Sequence, residues 1–222
     1  MEKEIKQNWD IKVVNDNPTY PFIVIDNWYT SIEEQNVWKE LDFYLSQPID
    51  NTMRAEDSKS TARKPDGTSL ANSRRFYFEN WWRQREVSHI LSTQYKFRTK
   101  YFHNIVRKLG SVSRLLLNCN KDTSIISYYE ADNDHYKPHD DMFSFTSLIW
   151  MVKEPRKFEG GDLELTESNN LIKLKSNRMV LFPSYYLHSV TPVKFFDKIN
   201  NGMGRWCITH FFYQCPSCGV NK

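Results

Sequence analysis

Glycine is scarce, at seven residues in 222. A chain so poor in the residue that takes positive φ without strain must build most turns from Asn, Asp, Pro and Ser. Long apolar runs are missing too. None approaches the roughly twenty residues that span a bilayer, so no membrane partner is expected. The N-terminus MEKEIKQNWD is charged and lacks the apolar stretch of a secretory signal, which points to the cytoplasm. Four cysteines do not make a disulfide framework in a chain of this length and are expected as thiols. An excess of either charge is also absent. Thirty Lys and Arg against 27 Asp and Glu leave +3, too mild to announce a nucleic acid.

What is present is a folding composition, 40% hydrophobic and 15% aromatic, with enough length to bury one sizeable core. Within residues 11–28 the runs IKVV and PFIVID, divided by NDNPTYP, predict two short strands. Ser31-Ile32-Glu33-Glu34 has the form of a capping box. Val37, Leu41 and Tyr44 follow at helical spacing, predicting an amphipathic helix over 31–46 that backs a sheet. Residues 47–73 are polar, carry Pro65-Asp66-Gly67 and show almost no apolar periodicity. They are expected as a mobile surface loop, with a lid as the alternative.

RRFYFENWW then alternates as a strand. Ile90, Leu91, Tyr95, Phe102, Ile105 and Leu109 allow one or two helices, ended by Gly110. The basic and aromatic residues between Arg74 and Lys108 are read as the solvated side of these elements, with a nucleic-acid face as the alternative. After Arg114 come short runs: RLLLN, TSIISYY, HYKPHDD, FTSLIWMV, DLELT, LIKLK, RMVLFP, YLHSVTPV and GRWCITHFFY. Their spacing predicts an antiparallel sandwich or barrel. The expected organisation is one α+β, mainly β domain over 1–222. Residues 1–114 supply strands, helices and the polar loop, 115–213 the all-β core, and 214–222 a short tail.

Chemistry concentrates between Tyr128 and Phe145, in YYEADNDHYKPHDDMFSF. His139 and Asp141 are two residues apart, so on an extended strand both side chains leave one face. His188 sits later among apolar neighbours, where an unpaired imidazole is costly. Two histidines and one carboxylate, with open positions opposite, form the facial triad of non-haem Fe(II) oxygenases. Without His188, His-x-Asp is only an acidic turn. On the last run Arg205, Cys207 and Thr209 share a face, and an arginine facing a barrel interior needs an anion; a dicarboxylate suits its bidentate geometry. His135 has the parity of His139 and is read as its partner or a substrate contact. Asp140 faces away, and His210, opposite in parity to Arg205, is structural or exposed. Cys215 and Cys218 are half a zinc site at best and are read as free thiols.

Tyr129, Tyr136, His139-x-Asp141, Gly160-Gly161-Asp162-Leu163, His188 and Arg205-x-x-x-Thr209 resemble, in identity and order, the prolyl 4-hydroxylase-like branch of the Fe(II)/2-oxoglutarate dioxygenases. The resemblance covers residues 123–213. It implies a double-stranded β-helix, a distorted, cupin-like jelly roll, with the metal at its open mouth. It implies Fe(II), 2-oxoglutarate and O2 as cofactors, with ascorbate to keep iron ferrous. The implied reaction hydroxylates a substrate carbon and converts 2-oxoglutarate to succinate and CO2. His139, Asp141 and His188 become iron ligands, and Arg205 the partner of the far carboxylate of 2-oxoglutarate. Lys194 and Lys198 are rivals for that carboxylate, because the insertion KFFDKINNGMG loosens the register. Tyr129 is expected against the same carboxylate, Tyr136 at the co-substrate and substrate mouth, and Thr209 at the pocket base. The glycine pair permits a tight turn near the mouth.

The implied substrate is a protein or peptide, with proline one candidate residue. One alternative is oxidation of a nucleic-acid base, to which Trp81 and Trp82 would contribute stacking. Another is a jelly-roll binding module without turnover. The N-terminal texture, PFIVIDNWYTSIEE followed by a polar loop and RRFYFEN, is similar to dioxygenases of marine bacteriophages, for which the cytoplasm would be that of a host.

Overall fold

The computed structural model describes residues 8–48, 52–78, 82–197 and 202–216. The chain opens on an antiparallel hairpin, β1 (Asp10–Val14) and β2 (Phe22–Asp26), with Val14 opposite Phe22. Helix α1 (Ser31–Ser46) follows and buries the stripe Val37, Glu40, Leu41 and Tyr44. Its capping box lies one residue earlier than the sequence suggests. The Thr30 hydroxyl accepts from the Glu33 N–H at 3.3 Å, and the Thr30 N–H donates to the Glu33 carboxylate at 2.8 Å. Thr30 holds the extended backbone an N-cap needs, whereas Ser31 is already helical.

Residues 52–73 are not a structureless loop. They carry β3 (Met53–Arg54), a bridge between Arg63 and Ser69, and β4 (Ala71–Asn72), and lead into β5 (Arg74–Tyr77). Short helices follow, among them α2 (His89–Ser92), α3 (Lys100–Val106) and α4 (Ser113–Leu117). Tyr95, counted among the inward positions, is 48% exposed, while Ile90, Leu91, Phe102, Ile105 and Leu109 are buried as expected. RLLLN, expected as a strand, lies mostly in α4. Three leucines carry no period of their own, and the helical backbone at Val112 and Ser113 runs straight into them.

The strands after α4 are β6 (Lys121–Tyr129), β7 (His135–His139), β8 (Phe145–Met151), β9 (Phe158–Glu159), β10 (Leu163–Leu165), β11 (Asn170–Ile172), β12 (Arg178–Pro183), β13 (His188–Val190), β14 (Lys194–Phe195) and β15 (Arg205–Tyr213). One sheet runs β1-β2-β12-β8-β15-β6-β5-β3 and a smaller one β11-β10-β13-β7-β4, with β14-β9 a separate pair. The N-terminal half therefore does more than support the core: it contributes β1, β2, β3 and β5 to the large sheet and β4 to the small one.

Alternation along the strands divides the interior into two cores. On β8 every residue is buried, because both faces are covered. Ile149 and Met151 join Trp206, Ile208 and the helices on the outer face, while Leu148, Trp150 and Val152 point between the two sheets toward Leu163, Leu165 and Val190. This is the double-stranded β-helix, with helices packed against its large sheet. Among the described residues no helix is long and apolar enough to cross a membrane. Cys119 and Cys207 are free thiols, but Cys215 is disulfide-bonded, which corrects the expectation for that residue; Cys218 lies outside the described residues.

A buried carboxylate joins α1 to the short helices. Glu40 accepts from the Tyr44 hydroxyl at 2.7 Å, the Ser88 hydroxyl at 2.6 Å and the Ile90 N–H at 2.9 Å. Removing it strands three buried donors, each costing about 1–3 kcal/mol. Glu40→Ala is therefore expected to lose about 3 kcal/mol or more in chemical denaturation, and Glu40→Gln, which keeps an acceptor, to lose less.

Candidate metal centre

In the small sheet β13 lies against β7 with His188 directly opposite His139. Side chains of such a pair share a face, and the two imidazole centroids are 4.2 Å apart. Each ring is fixed by a backbone carbonyl: His139 Nδ1 donates to Lys137 O at 2.9 Å and His188 Nδ1 to Tyr186 O at 2.8 Å. A carbonyl only accepts, so the proton sits on Nδ1 and each Nε2 presents a lone pair to the centre. Tyr136 stacks on His139 with centroids 3.4 Å apart, and Phe182 meets His188 edge-on at 4.9 Å.

Asp141 reaches the same point by a different route from the one its spacing suggests. The strand ends at His139, and a turn brings the Asp141 N–H to Ser184 O at 2.9 Å. The Thr146 hydroxyl donates to its Oδ2 at 2.8 Å. Asp141 Oδ1 then lies 3.8 Å from His139 Nε2, and Oδ2 lies 3.5 Å from His188 Nε2. One ligand atom from each residue lies within 4.8 Å of the others, the one such group of three found among the described residues.

Burial, with His188 adding to it, pushes His139 down to about 2, so its imidazole is neutral. Burial also raises the Asp141 carboxyl, against the pull of His188. Two imidazoles with inward lone pairs and a carboxyl that resists ionising in isolation are a donor set that a divalent cation completes. Their identities suit Fe(II).

The triad opens onto a cavity of about 630 Å³ whose wall includes Tyr129, Tyr136, Leu148, Cys207, Thr209 and Arg75. Register explains the lining. Across β5, β6 and β15, Arg75 is opposite Ser127 and Ser127 opposite Cys207, while Tyr77, Ile125 and Thr209 form the next inward row. Tyr129 is opposite Arg205. Arg205 lies behind the open cavity rather than in its lining, with its guanidinium carbon 4.5 Å from the centroid of the Tyr129 ring. It is fully buried; Nε donates to Gly161 O at 2.8 Å, but Nη1 and Nη2 have no partner. Two orphaned donors on one buried cation suit a carboxylate. Burial raises Tyr129 to about 12, so its phenol keeps a proton to donate.

The rival bases part company with this site. Lys194 faces Glu159 at 3.6 Å on the surface and does not line the cavity, and Lys198 lies outside the described residues. His135 turns to Asn133 O at 2.6 Å and is not in the lining, whereas Asp140 is exposed at the rim. His210 is buried rather than exposed, with Nδ1 held between Ser124 and Gln94. Trp82 donates to the Tyr44 hydroxyl on α1 instead of flanking the mouth, and Trp81 lies outside the described residues.

Two features escaped the sequence reading. Arg74 and Arg75, placed on the solvated side, are 7% and 3% exposed; the alternation of RRFY, which pairs Arg75 in parity with the cavity-lining Tyr77, was the available signal. The glycine pair is more than a turn. Gly161 has φ +74°, and a Cβ there would stand 2.7 Å from Arg205 Cδ.

A jelly roll that presents two histidines from its small sheet and a carboxylate from the turn after β7 has the architecture of a non-haem iron oxygenase. Residues 124–213 match the family model of the 2OG-Fe(II) oxygenase superfamily, whose members use Fe(II), 2-oxoglutarate and O2; the match takes in the three triad residues and Arg205. Over 49 residues it is 45% identical to a PKHD-type hydroxylase of Saccharophagus degradans, a match covering 21% of this chain and 22% of that protein. It thus spans about a fifth of that curated relative. A viral collagen prolyl hydroxylase from Paramecium Bursaria Chlorella virus-1, solved as a 2OG complex, shares the fold with TM-score 0.51 and 15% identity, over 86% of this chain and 94% of that one. A Pseudomonas putida prolyl-4-hydroxylase does so with TM-score 0.56 and 11% identity, over 94% of each.

Gly161→Ala should displace Arg205 and raise the 2-oxoglutarate concentration needed for half-saturation. Its strained φ costs about 1–2 kcal/mol of stability in addition. Gly67, at φ +85° with no atom within 4 Å of the position a Cβ would take, is the control. Gly67→Ala is expected to lose comparable stability and leave co-substrate binding unchanged, measured by thermal melting and 2-oxoglutarate titration.

Proposed function

We propose that this chain is an Fe(II)- and 2-oxoglutarate-dependent dioxygenase that hydroxylates a carbon of a protein or peptide substrate. The observation that carries the reading is the conjunction of the His139, Asp141 and His188 cluster with the unpartnered, buried guanidinium of Arg205. His139 Nε2, His188 Nε2 and the Asp141 carboxylate would hold the iron from one side. Arg205 Nη1 and Nη2 would take the far carboxylate of 2-oxoglutarate, beside the Tyr129 phenol. When bound, these cofactors supply an oxidation in which 2-oxoglutarate becomes succinate and CO2 and one oxygen atom enters a substrate C–H bond.

The chain's own contribution is orientation and exclusion of water. Backbone carbonyls and the Tyr136 ring fix the imidazoles, Thr146 holds the carboxylate, and Leu148 and Val190 give the cavity apolar walls. Thr209 lies at the cavity wall 3.8 Å from the Cys207 thiol, where it fits the expected polar base.

The names of the similar proteins, a PKHD-type hydroxylase and two prolyl hydroxylases, support a peptide substrate. Trp82, turned inward toward α1, removes one stacking residue from the nucleic-acid alternative.

Anaerobic addition of Fe(II) and 2-oxoglutarate should produce a weak visible charge-transfer band. His139→Ala, Asp141→Ala and His188→Ala should each abolish both the band and succinate formation; a variant that keeps full turnover removes its residue from the ligand set. Arg205→Ala should weaken 2-oxoglutarate binding by roughly 30-fold or more, the equivalent of about 2 kcal/mol for a lost buried charge pair. Lys194→Ala should not; the reverse result would reassign the carboxylate.

A further inference from the structure

A second guanidinium faces the cavity, and the chemistry above leaves it unused. Arg75 enters from β5, with β6 separating it from the β15 strand that carries Arg205. It is 3% exposed, Nη1 donates to the Thr61 hydroxyl at 2.7 Å, the guanidinium also bonds the Tyr77 and Tyr136 hydroxyls, and Nε alone has no partner. The neighbouring arginines differ: Arg54 on the adjacent β3 pairs with Glu56 and Asp134, and Arg74 on β5 lies 3.9 Å from Glu130. Among the described residues no acidic side chain forms an ion pair with Arg75. Its guanidinium carbon is 5.4 Å from the Tyr136 ring, and that ring stacks on the ligand His139. The one other arginine at the rim is committed, since Arg63 donates to the carbonyls of Glu56, Ser58 and Gly67.

A buried cation with an unsatisfied donor at the edge of a binding cavity is destabilising until an anion arrives. Of the two carboxylates of 2-oxoglutarate, the far one would be taken by Arg205 and the near one would lie at the metal. We propose that Arg75 anchors a carboxylate of the substrate, so that the peptide oxidised here carries an acidic side chain or a free C-terminus beside the carbon that is hydroxylated. The inference rests on the reading of this cavity as the active site. Guanidinium geometry suits a carboxylate held by two parallel N–H donors, and one ring's thickness separates it from a metal ligand, which places that carboxylate within a residue or two of the reacting carbon.

The test uses N-acetylated, C-amidated tripeptide pools with a randomised central residue, flanked either by Glu or by Gln. A third pool has Gln flanks and a free C-terminus, and free L-amino acids form a fourth arm. Peptide-dependent succinate formation and a +16 mass on the peptide are read with each. The wild-type protein should respond at least tenfold better to one of the carboxylate-bearing arms than to the Gln-amide pool, and the arm that responds identifies the source of the carboxylate. Arg75→Met should bring that ratio close to one while the 2-oxoglutarate Kd, from the anaerobic band, moves less than twofold; Arg75→Lys should retain part of the ratio. Thr61→Ala should keep the ratio, whereas a purely structural role for Arg75 in holding the 58–62 segment predicts that Thr61→Ala loses it as well. Equal stimulation by all pools, or an Arg75→Met effect on 2-oxoglutarate Kd with the ratio intact, overturns the proposal alone. No stimulation by any arm with the band present overturns the peptide reading and this inference together, and absence of the band overturns the iron site itself.

Discussion

The register between β7 and β13 is the constraint on which the site depends. It sets His188 opposite His139, and a slip of one residue would turn an imidazole out of the barrel. The Nδ1-to-carbonyl bonds at Lys137 and Tyr186 convert that placement into a chemical state, with both Nε2 atoms aimed at one point. Around them the large sheet supplies a wall of alternating residues, and β5, β6 and β15 present their inward rows to the same space.

The barrel interior is also charged in an uneven way. Some buried charges are fully matched, as with Glu40 and its three donors. Unmatched atoms occur in several places, Trp28, Trp150 and Arg156 among them, but around the cavity they fall on charged groups together: Arg205 keeps two orphaned nitrogens and Arg75 one, while Asp141 sits where burial disfavours its ionised form. Such groups lower the stability of the free protein, and in the reading proposed above ligand charge would relieve them: a cation at Asp141 and anions at the two arginines. Gly161 belongs to this arrangement, because only a residue without Cβ leaves room for the Arg205 side chain.

Much of the architecture was legible. Period-2 runs marked nearly all of the longer strands, and the α1 span of 31–46 followed from Val37, Leu41 and Tyr44. The local failures have local causes. The leucine run at 115–117 has no period to separate helix from strand, and the capping box slid by one because Thr30 and Ser31 are both competent caps. The short β3, β4, β9 and β14 strands were invisible because two-residue strands exist only through their partners.

By itself the sequence determined which side chains were available to bind metal, their order, and the parity that sets Arg205, Cys207 and Thr209 on one face. Tertiary structure alone decided that Asp141 arrives by a turn anchored to Ser184, that Lys194 stays at the surface, and that Arg75 lines the cavity. The reason is physical. Residue identity and periodicity are local properties of the chain, whereas the inside of a barrel is defined by pairings such as Arg75 with Ser127 and Ser127 with Cys207, between segments tens of residues apart.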